Sequence, residues 1–161
     1  MVTLFHKKGN MFEKVILEEQ ILVPYTRCFS LKRYFLSYAK EKMEGKCRKE
    51  GYVSIGSITL ESHSCGLLFA DSVSFDVKFN AEVCNPSIDQ VTTCKIINNT
   101  KIGIRGIYQE DNNPIIFFVS REHNPEKNFE DYCIGQRIQV KIIGTRFELN
   151  DVAISSISEI L

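Results

Sequence analysis

An alternating stretch at residues 73–86 constrains the fold of this chain more than any other feature. Apolar residues from Val73 to Val83 occupy every second position, the period of a β-strand with one buried face. Asn85-Pro86 ends the strand, because proline lacks an N–H for the ladder and restricts the residue before it. A second alternating run begins at Val91. The pattern predicts two modules, residues 1–85 and 86–161. With almost no linker between them, we expect them to move as one rigid rod.

The first module is predicted to be a small α+β unit. Residues 12–23 are rich in Val, Ile and Leu but interrupted by polar residues, which predicts an edge strand or a bulge. An apolar stripe at helical spacing predicts a helix over 31–44, with Ser30 as its N-cap and Gly45 at its end. One strand over 51–60, a turn over 61–66 and a short apolar strand over 67–70 are expected to follow.

The segment around the end of that helix is rich in cations. Residues 40–50 contain five basic and three acidic side chains. Two interpretations remain open: a solvated helix terminus with cations near the negative end of the helix dipole, or a patch that docks a partner or contacts phosphate.

The second module is predicted to be all-β. Five short alternating runs over 91–97, 102–108, 115–120, 137–143 and 152–157 are separated by turns, with a longer polar connection over 121–131. This spacing is typical of a five-stranded Greek-key barrel of the OB type, which commonly binds single-stranded nucleic acid. Alternation allows only one of Phe117 and Phe118 to face outward. Eight residues are candidates for contacting RNA through phosphates or stacked bases: Lys95, Lys101, Arg105, Tyr108, Phe118, Arg121, Lys141 and Arg146.

Composition narrows the functional classes. The chain is 43% apolar and 25% charged, so it is predicted to fold into a globular structure. Its formal net charge is zero, so no strong overall electrostatic potential is expected to attract a polyanion. Neither a membrane span nor a signal peptide is expected, so the predicted location is intracellular. Six widely spaced cysteines predict reduced, mostly buried thiols. No metal site, cofactor or catalytic constellation is predicted, and we expect no enzymatic activity.

Four segments carry a resemblance to a known family. In chain order they are Met43-Glu-Gly-Lys-Cys47 with Gly51-Tyr-Val53, Ser74–Val83 with Asn85-Pro86, Ile138–Gly144, and Ala153–Ile157. Together they resemble the large stalk subunit of multi-subunit DNA-directed RNA polymerases, the family of the seventh subunit of eukaryotic polymerase II and its archaeal counterpart. The resemblance runs from Met11 to Leu161. Ser87-Ile-Asp89 departs from it, because the family has Lys-Gly-Glu there.

The resemblance implies an N-terminal tip domain followed by an OB-fold barrel. The tip would dock on polymerase core subunits, the barrel would meet nascent single-stranded RNA, and a smaller stalk partner would lie along the seam. By the same analogy the docking residues are expected between positions 44 and 52: Glu44, Gly45, Lys46, Arg48, Lys49, Gly51 and Tyr52. The implied location is the nucleus, or the cytoplasm or virion for a viral polymerase. The alternative is a free-standing OB-fold protein that binds single-stranded nucleic acid without a polymerase.

Overall fold

The computed structural model describes residues 11–161, and its first sheet is built on two long strands. Strand β1 (Phe12–Pro24) pairs antiparallel with β6 (Ser72–Cys84) along its whole length, from Phe12 opposite Cys84 to Pro24 opposite Ser72. The alternation of β6 buries every apolar residue from Val73 to Val83. Strand β1 is an edge strand, as predicted.

One helix covers the buried face of this sheet. A 3₁₀ turn, η1 (Tyr25–Ser30), leads directly into α1 (Leu31–Lys42), which buries Phe35 and Ala39. Ser30 is the N-cap residue, as predicted, but its side chain makes no capping hydrogen bond, because the chain enters the helix from a turn that is already helical. Gly45 adopts φ +69° just after the helix, a conformation that glycine adopts without steric cost.

Four short strands complete the first sheet. They are β2 (Cys47–Arg48), β3 (Gly51–Val53), β4 (Thr59–His63) and β5 (Leu67–Phe69), and the last three pair with β6. The single strand predicted over 51–60 is wrong, and the turn predicted over 61–66 begins only after His63. Gly56 at φ +78° and a bond from Ser57 Oγ to the Ser54 carbonyl oxygen (2.8 Å) break the strand into two.

The second half of the chain forms a closed five-stranded barrel. Its strands are β7 (Val91–Asn99), β8 (Gly103–Ile107), β9 (Ile115–Ser120), β10 (Arg137–Arg146) and β11 (Ile154–Ile160). They are ordered β7-β8-β9-β11-β10, and β10 closes on β7. Only β9 and β11 run parallel. The predicted five-stranded barrel is therefore confirmed, and its order is consistent with an OB-fold.

The first sheet and the barrel share a hydrophobic core. Met11, Cys47, Tyr52 and Cys84 of the first half belong to the same buried cluster as the barrel interior. Two backbone hydrogen bonds reinforce this junction, from Cys47 N to the Asp151 carbonyl oxygen (2.7 Å) and from Asn150 N to the Cys47 carbonyl oxygen (2.8 Å). The β10–β11 loop is thus fastened to β2. This continuity favours the predicted rigid rod, while the division at residue 85 stays a prediction.

The cysteines follow the prediction only in part. Cys47, Cys84 and Cys94 are buried, whereas Cys65 and Cys133 are exposed. Burial raises the pKa of the Cys84 thiol to about 12 and that of the Cys94 thiol to about 12, because an apolar surrounding disfavours the thiolate. The two exposed thiols lie in connections, where strand alternation does not bury them.

Candidate nucleic-acid interface

The outer face of β8, β9 and β11 presents a cation beside an aromatic ring. Arg105 lies opposite Phe118, which lies opposite Ile157 on the next strand. The Arg105 guanidinium carbon is 6.0 Å from the centroid of the Phe118 ring. Phe118 is 43% exposed whereas Phe117 is fully buried, as strand alternation requires. This row provides one stacking face and one cation beside it.

A groove of about 300 Å³ continues this surface toward the β7–β8 turn. Its lining includes Arg105, Phe118 and Ile102, whose side chain is 82% exposed. Lys101 lies in the same turn and is exposed. Gly103 is required at the turn, because a Cβ there would lie 2.3 Å from the Val119 carbonyl oxygen. Strand β8 therefore approaches β9 closely at this end of the groove.

Three of the predicted RNA-contacting cations are already paired with carboxylates. Lys95 contacts Glu110 at 2.5 Å, Arg146 contacts Glu148 at 3.2 Å, and Lys141 pairs with Glu159. The hydrogen bond from Lys95 lowers the pKa of Glu110, and the hydrogen bond to Glu159 raises the pKa of Lys141. Such pairs reduce the charge that a phosphate would meet at the barrel.

Two other predicted residues follow β8 and β9 directly, but their side chains pack against other rings. Tyr108 is half-buried, with its ring 6.3 Å from that of Phe12, and burial raises the pKa of its hydroxyl. Arg121 stacks instead over Phe129, with 4.9 Å from the guanidinium carbon to the ring centroid. Of the eight candidates, the structure therefore brings Arg105 and Phe118 together and places Lys101 near them.

Two of the seven predicted docking residues, Gly51 and Tyr52, are buried. Tyr52 is 3% exposed, and Gly51 is buried at φ +130°, where a Cβ would lie 2.3 Å from the Cys84 carbonyl oxygen. Arg48 forms an ion pair with Glu19 at 2.5 Å. Among the candidates between positions 44 and 52, Lys49 is the one whose side chain is largely exposed, at 84%. Glu44, Gly45 and Lys46 are half-buried. Within this segment, Tyr52 and the neighbouring Cys47 belong to the core that joins the first sheet to the barrel.

Sequence reasoning missed an exposed apolar surface at the opposite end of the first sheet. Strand β5 pairs with the Ser72–Ser74 end of β6, and Tyr25 N donates to the Asp71 carbonyl oxygen (3.2 Å), so β5, η1 and the end of β1 lie together. Five of their large apolar side chains are each at least half exposed, and we call this set the apolar end: Leu22, Tyr25, Leu67, Leu68 and Phe69. A short apolar run normally indicates burial, which is why the sequence did not reveal it.

No family model matches the chain, and no curated protein matches it either. Among residues 11–161, no three His, Cys, Asp or Glu side chains are grouped so as to hold a metal ion. Within the same residues, no helix has the length and apolar character needed to span a membrane.

Proposed function

We propose that the chain is a non-catalytic stalk subunit of a DNA-directed RNA polymerase, which docks on the core enzyme and guides nascent RNA along its barrel. The observation that carries the proposal is the Arg105–Phe118 pair on the β8–β9 face of a closed barrel with OB strand order. That face is where OB-folds bind single strands. The ordered resemblance of four segments to the stalk family supports the same interpretation.

The barrel binds RNA weakly in this proposal. Phe118 supplies a stacking face and Arg105 a cation, while Lys95, Lys141 and Arg146 are already paired. Base stacking on one aromatic ring contributes about 1–3 kcal/mol, well short of the roughly 8 kcal/mol of a micromolar complex, so a single stack and few phosphate contacts give an affinity no tighter than about micromolar. A guide needs no more, because the polymerase already holds the transcript.

Docking on the core is assigned to the apolar end. Exposed apolar patches of this kind mark protein–protein interfaces, and this one lies at the end of β6 remote from the barrel. Of the residues expected from the family analogy, 44–52, Tyr52 is buried in the core that joins the first sheet to the barrel, and docking through the others stays a prediction. A subunit attached by the apolar end would project its barrel away from the core enzyme, toward emerging RNA.

Affinity purification from the native cell tests the docking. The tagged chain is expected to retain the large polymerase subunits, and Leu68→Glu, which places a charge within the apolar end, is expected to lose them. Leu149→Glu is the matched control, because Leu149 is 67% exposed on the β10–β11 loop. Wild-type protein that retains no polymerase subunits contradicts the stalk function. If it still binds single-stranded RNA, the free-standing OB-fold alternative replaces it.

Titration with a labelled single-stranded RNA tests the barrel. Phe118→Ala is expected to weaken binding by roughly fivefold or more, whereas Ile157→Ala on the adjoining strand removes no aromatic ring and serves as the control. Affinity is expected to fall steeply with added salt. Nanomolar affinity that persists at high salt would refute the proposal that the barrel guides RNA through weak binding.

A further inference from the structure

The charge of the chain is divided unevenly. Residues 25–50 contain eight basic and three acidic side chains, while the remaining residues contain twelve and seventeen. The first set surrounds α1, so a neutral protein carries one cationic helix and an acidic remainder. A local positive surface attracts anions even where the net charge is zero.

Within the part of the chain that the structure describes, four cations on this helix and on the 3₁₀ turn before it are exposed and form no ion pair with a carboxylate, whereas Lys42 pairs with Glu41. Arg27, Lys32, Arg33 and Lys40 are exposed, and within residues 11–161 none of them forms an ion pair. Three barrel cations are neutralised by carboxylates. Four unpaired cations are therefore gathered on one short stretch of the chain, α1 and the turn that leads into it.

Two grooves flank the outer ridge of α1. A groove of about 620 Å³ lies on one side, lined by Arg27, Phe29 and Tyr34 among others. A groove of about 520 Å³ lies on the other, and its lining includes Lys32 and Lys40. Both grooves share three residues along the ridge: Ser30, Arg33 and Ser37. The Phe29 ring at one end is 89% exposed.

We propose that single-stranded RNA also binds along the outer face of α1, through phosphate contacts to its free cations and a base stacked on Phe29. The inference rests on the proposed function, from which the ligand class is taken. Arg33 and Lys40 are seven residues apart, about 10.5 Å along the helix axis, a span of roughly three stacked nucleotides. The exposed Ser37 hydroxyl between them and the exposed Ser30 hydroxyl before Arg33 add donors for phosphate oxygens.

The ridge favours a nucleic acid over an acidic peptide. The ridge that the two grooves share presents two serine hydroxyls and a guanidinium, which are donors for phosphate oxygens. An exposed aromatic ring with arginines nearby is typical of sites that bind single strands without sequence preference.

The first test measures binding of labelled oligouridylate to the full chain by fluorescence anisotropy, between about 50 mM and about 200 mM salt. Loss of two contacts in Arg33→Gln/Lys40→Gln is expected to lower the slope of log affinity against log salt by roughly 1.4, and affinity at low salt by roughly tenfold or more. The matched control is Lys14→Gln/Lys127→Gln. It makes the same charge change at two exposed lysines distant in sequence from α1 and is expected to leave the slope nearly unchanged.

The second test separates stacking from charge. Phe29→Ala is expected to weaken binding by roughly fivefold or more without changing the salt slope, whereas Leu67→Ala, which truncates another exposed apolar residue, has little effect. Because these side chains are exposed, the variants keep the wild-type circular dichroism. If Phe29→Ala binds RNA with wild-type affinity, the proposal that a base stacks on the Phe29 ring is refuted.

The outcomes distinguish this inference from the proposed function. If the α1 double variant behaves like its control while Arg105→Gln/Phe118→Ala abolishes binding, the α1 site is refuted and the barrel function stands. If neither double variant weakens RNA binding, both the α1 site and the proposed RNA-binding function of the barrel are refuted. If the α1 double variant keeps its RNA affinity but loses binding to poly-glutamate, the occupant is an acidic protein and the RNA assignment is overturned.

Discussion

Replacement of Tyr52 by alanine is expected to weaken the junction between the first sheet and the barrel. Tyr52 is 3% exposed on β3 and belongs to the core cluster of the barrel interior, beside Cys47 and Cys84. Truncation of a buried aromatic side chain costs about 3–5 kcal/mol. Much of that loss falls on the contact between the two halves, so the variant is expected to unfold less cooperatively than the wild type.

Two measurements together test this expectation. Urea denaturation followed by circular dichroism is expected to show one transition for the wild type and an earlier, broader one for Tyr52→Ala. ¹⁵N relaxation is expected to give one rotational correlation time for both halves of the wild type and two distinct values for the variant. Tyr52→Phe keeps the ring and is expected to cost less than about 1.5 kcal/mol.

A second core variant controls for general destabilisation. Phe79 is fully buried in the separate cluster of the first sheet, so Phe79→Ala is expected to lose about the same free energy of unfolding and to keep a single correlation time. Independent tumbling of the two halves in the wild-type protein would falsify the rigid junction. A Tyr52→Ala loss below about 1 kcal/mol would show that this residue is not central to it.

Further predictions concern the barrel core and the thiols. Gly106→Ala is expected to lower the free energy of unfolding by about 1–3 kcal/mol in urea denaturation, because the new Cβ would lie 2.0 Å from the Cys94 sulfur. A thiol reagent is expected to label Cys65 and Cys133 quickly, and the three buried thiols only on unfolding. Stability is expected to fall between about pH 8.5 and pH 12, because Cys84 and Cys94 stay protonated when folded but ionise when unfolded. Each thiol contributes about 2 kcal/mol of that loss at about pH 10.

Each of these expectations has a contradicting outcome. Gly144→Ala is the control for Gly106→Ala, since a Cβ at Gly144 meets nothing within 4 Å. Equal losses of unfolding free energy in the two variants would contradict the explanation by contact with the Cys94 sulfur. Rapid labelling of Cys84 in the folded protein contradicts its burial. A free energy of unfolding that stays constant from about pH 8 to about pH 10 would refute the link between stability and thiol ionisation. Cys94→Ala is expected to reduce the fall in stability with pH by the contribution of that one thiol.

Local pattern predicted the barrel well, because strand period and turn residues are properties of neighbouring positions. The five runs between Val91 and Ile157 became five strands, and alternation alone required that Phe117 and Phe118 face opposite sides. The first sheet was predicted less well. Its strand over 51–60 is divided by a turn at Gly56, where backbone geometry overrides an apolar pattern that continues through it.

The sequence by itself determined which residues share the buried side of β6 and which share the outward side of β9. It also determined that α1 is rich in cations. Only the tertiary structure decided which of those side chains are free. Lys95 is neutralised by Glu110 and Tyr52 is covered by the barrel, whereas Leu68 is left exposed. The physical reason is that a period of two or 3.6 residues sets direction locally. Charge pairing and burial depend instead on strands and loops brought together from distant parts of the chain.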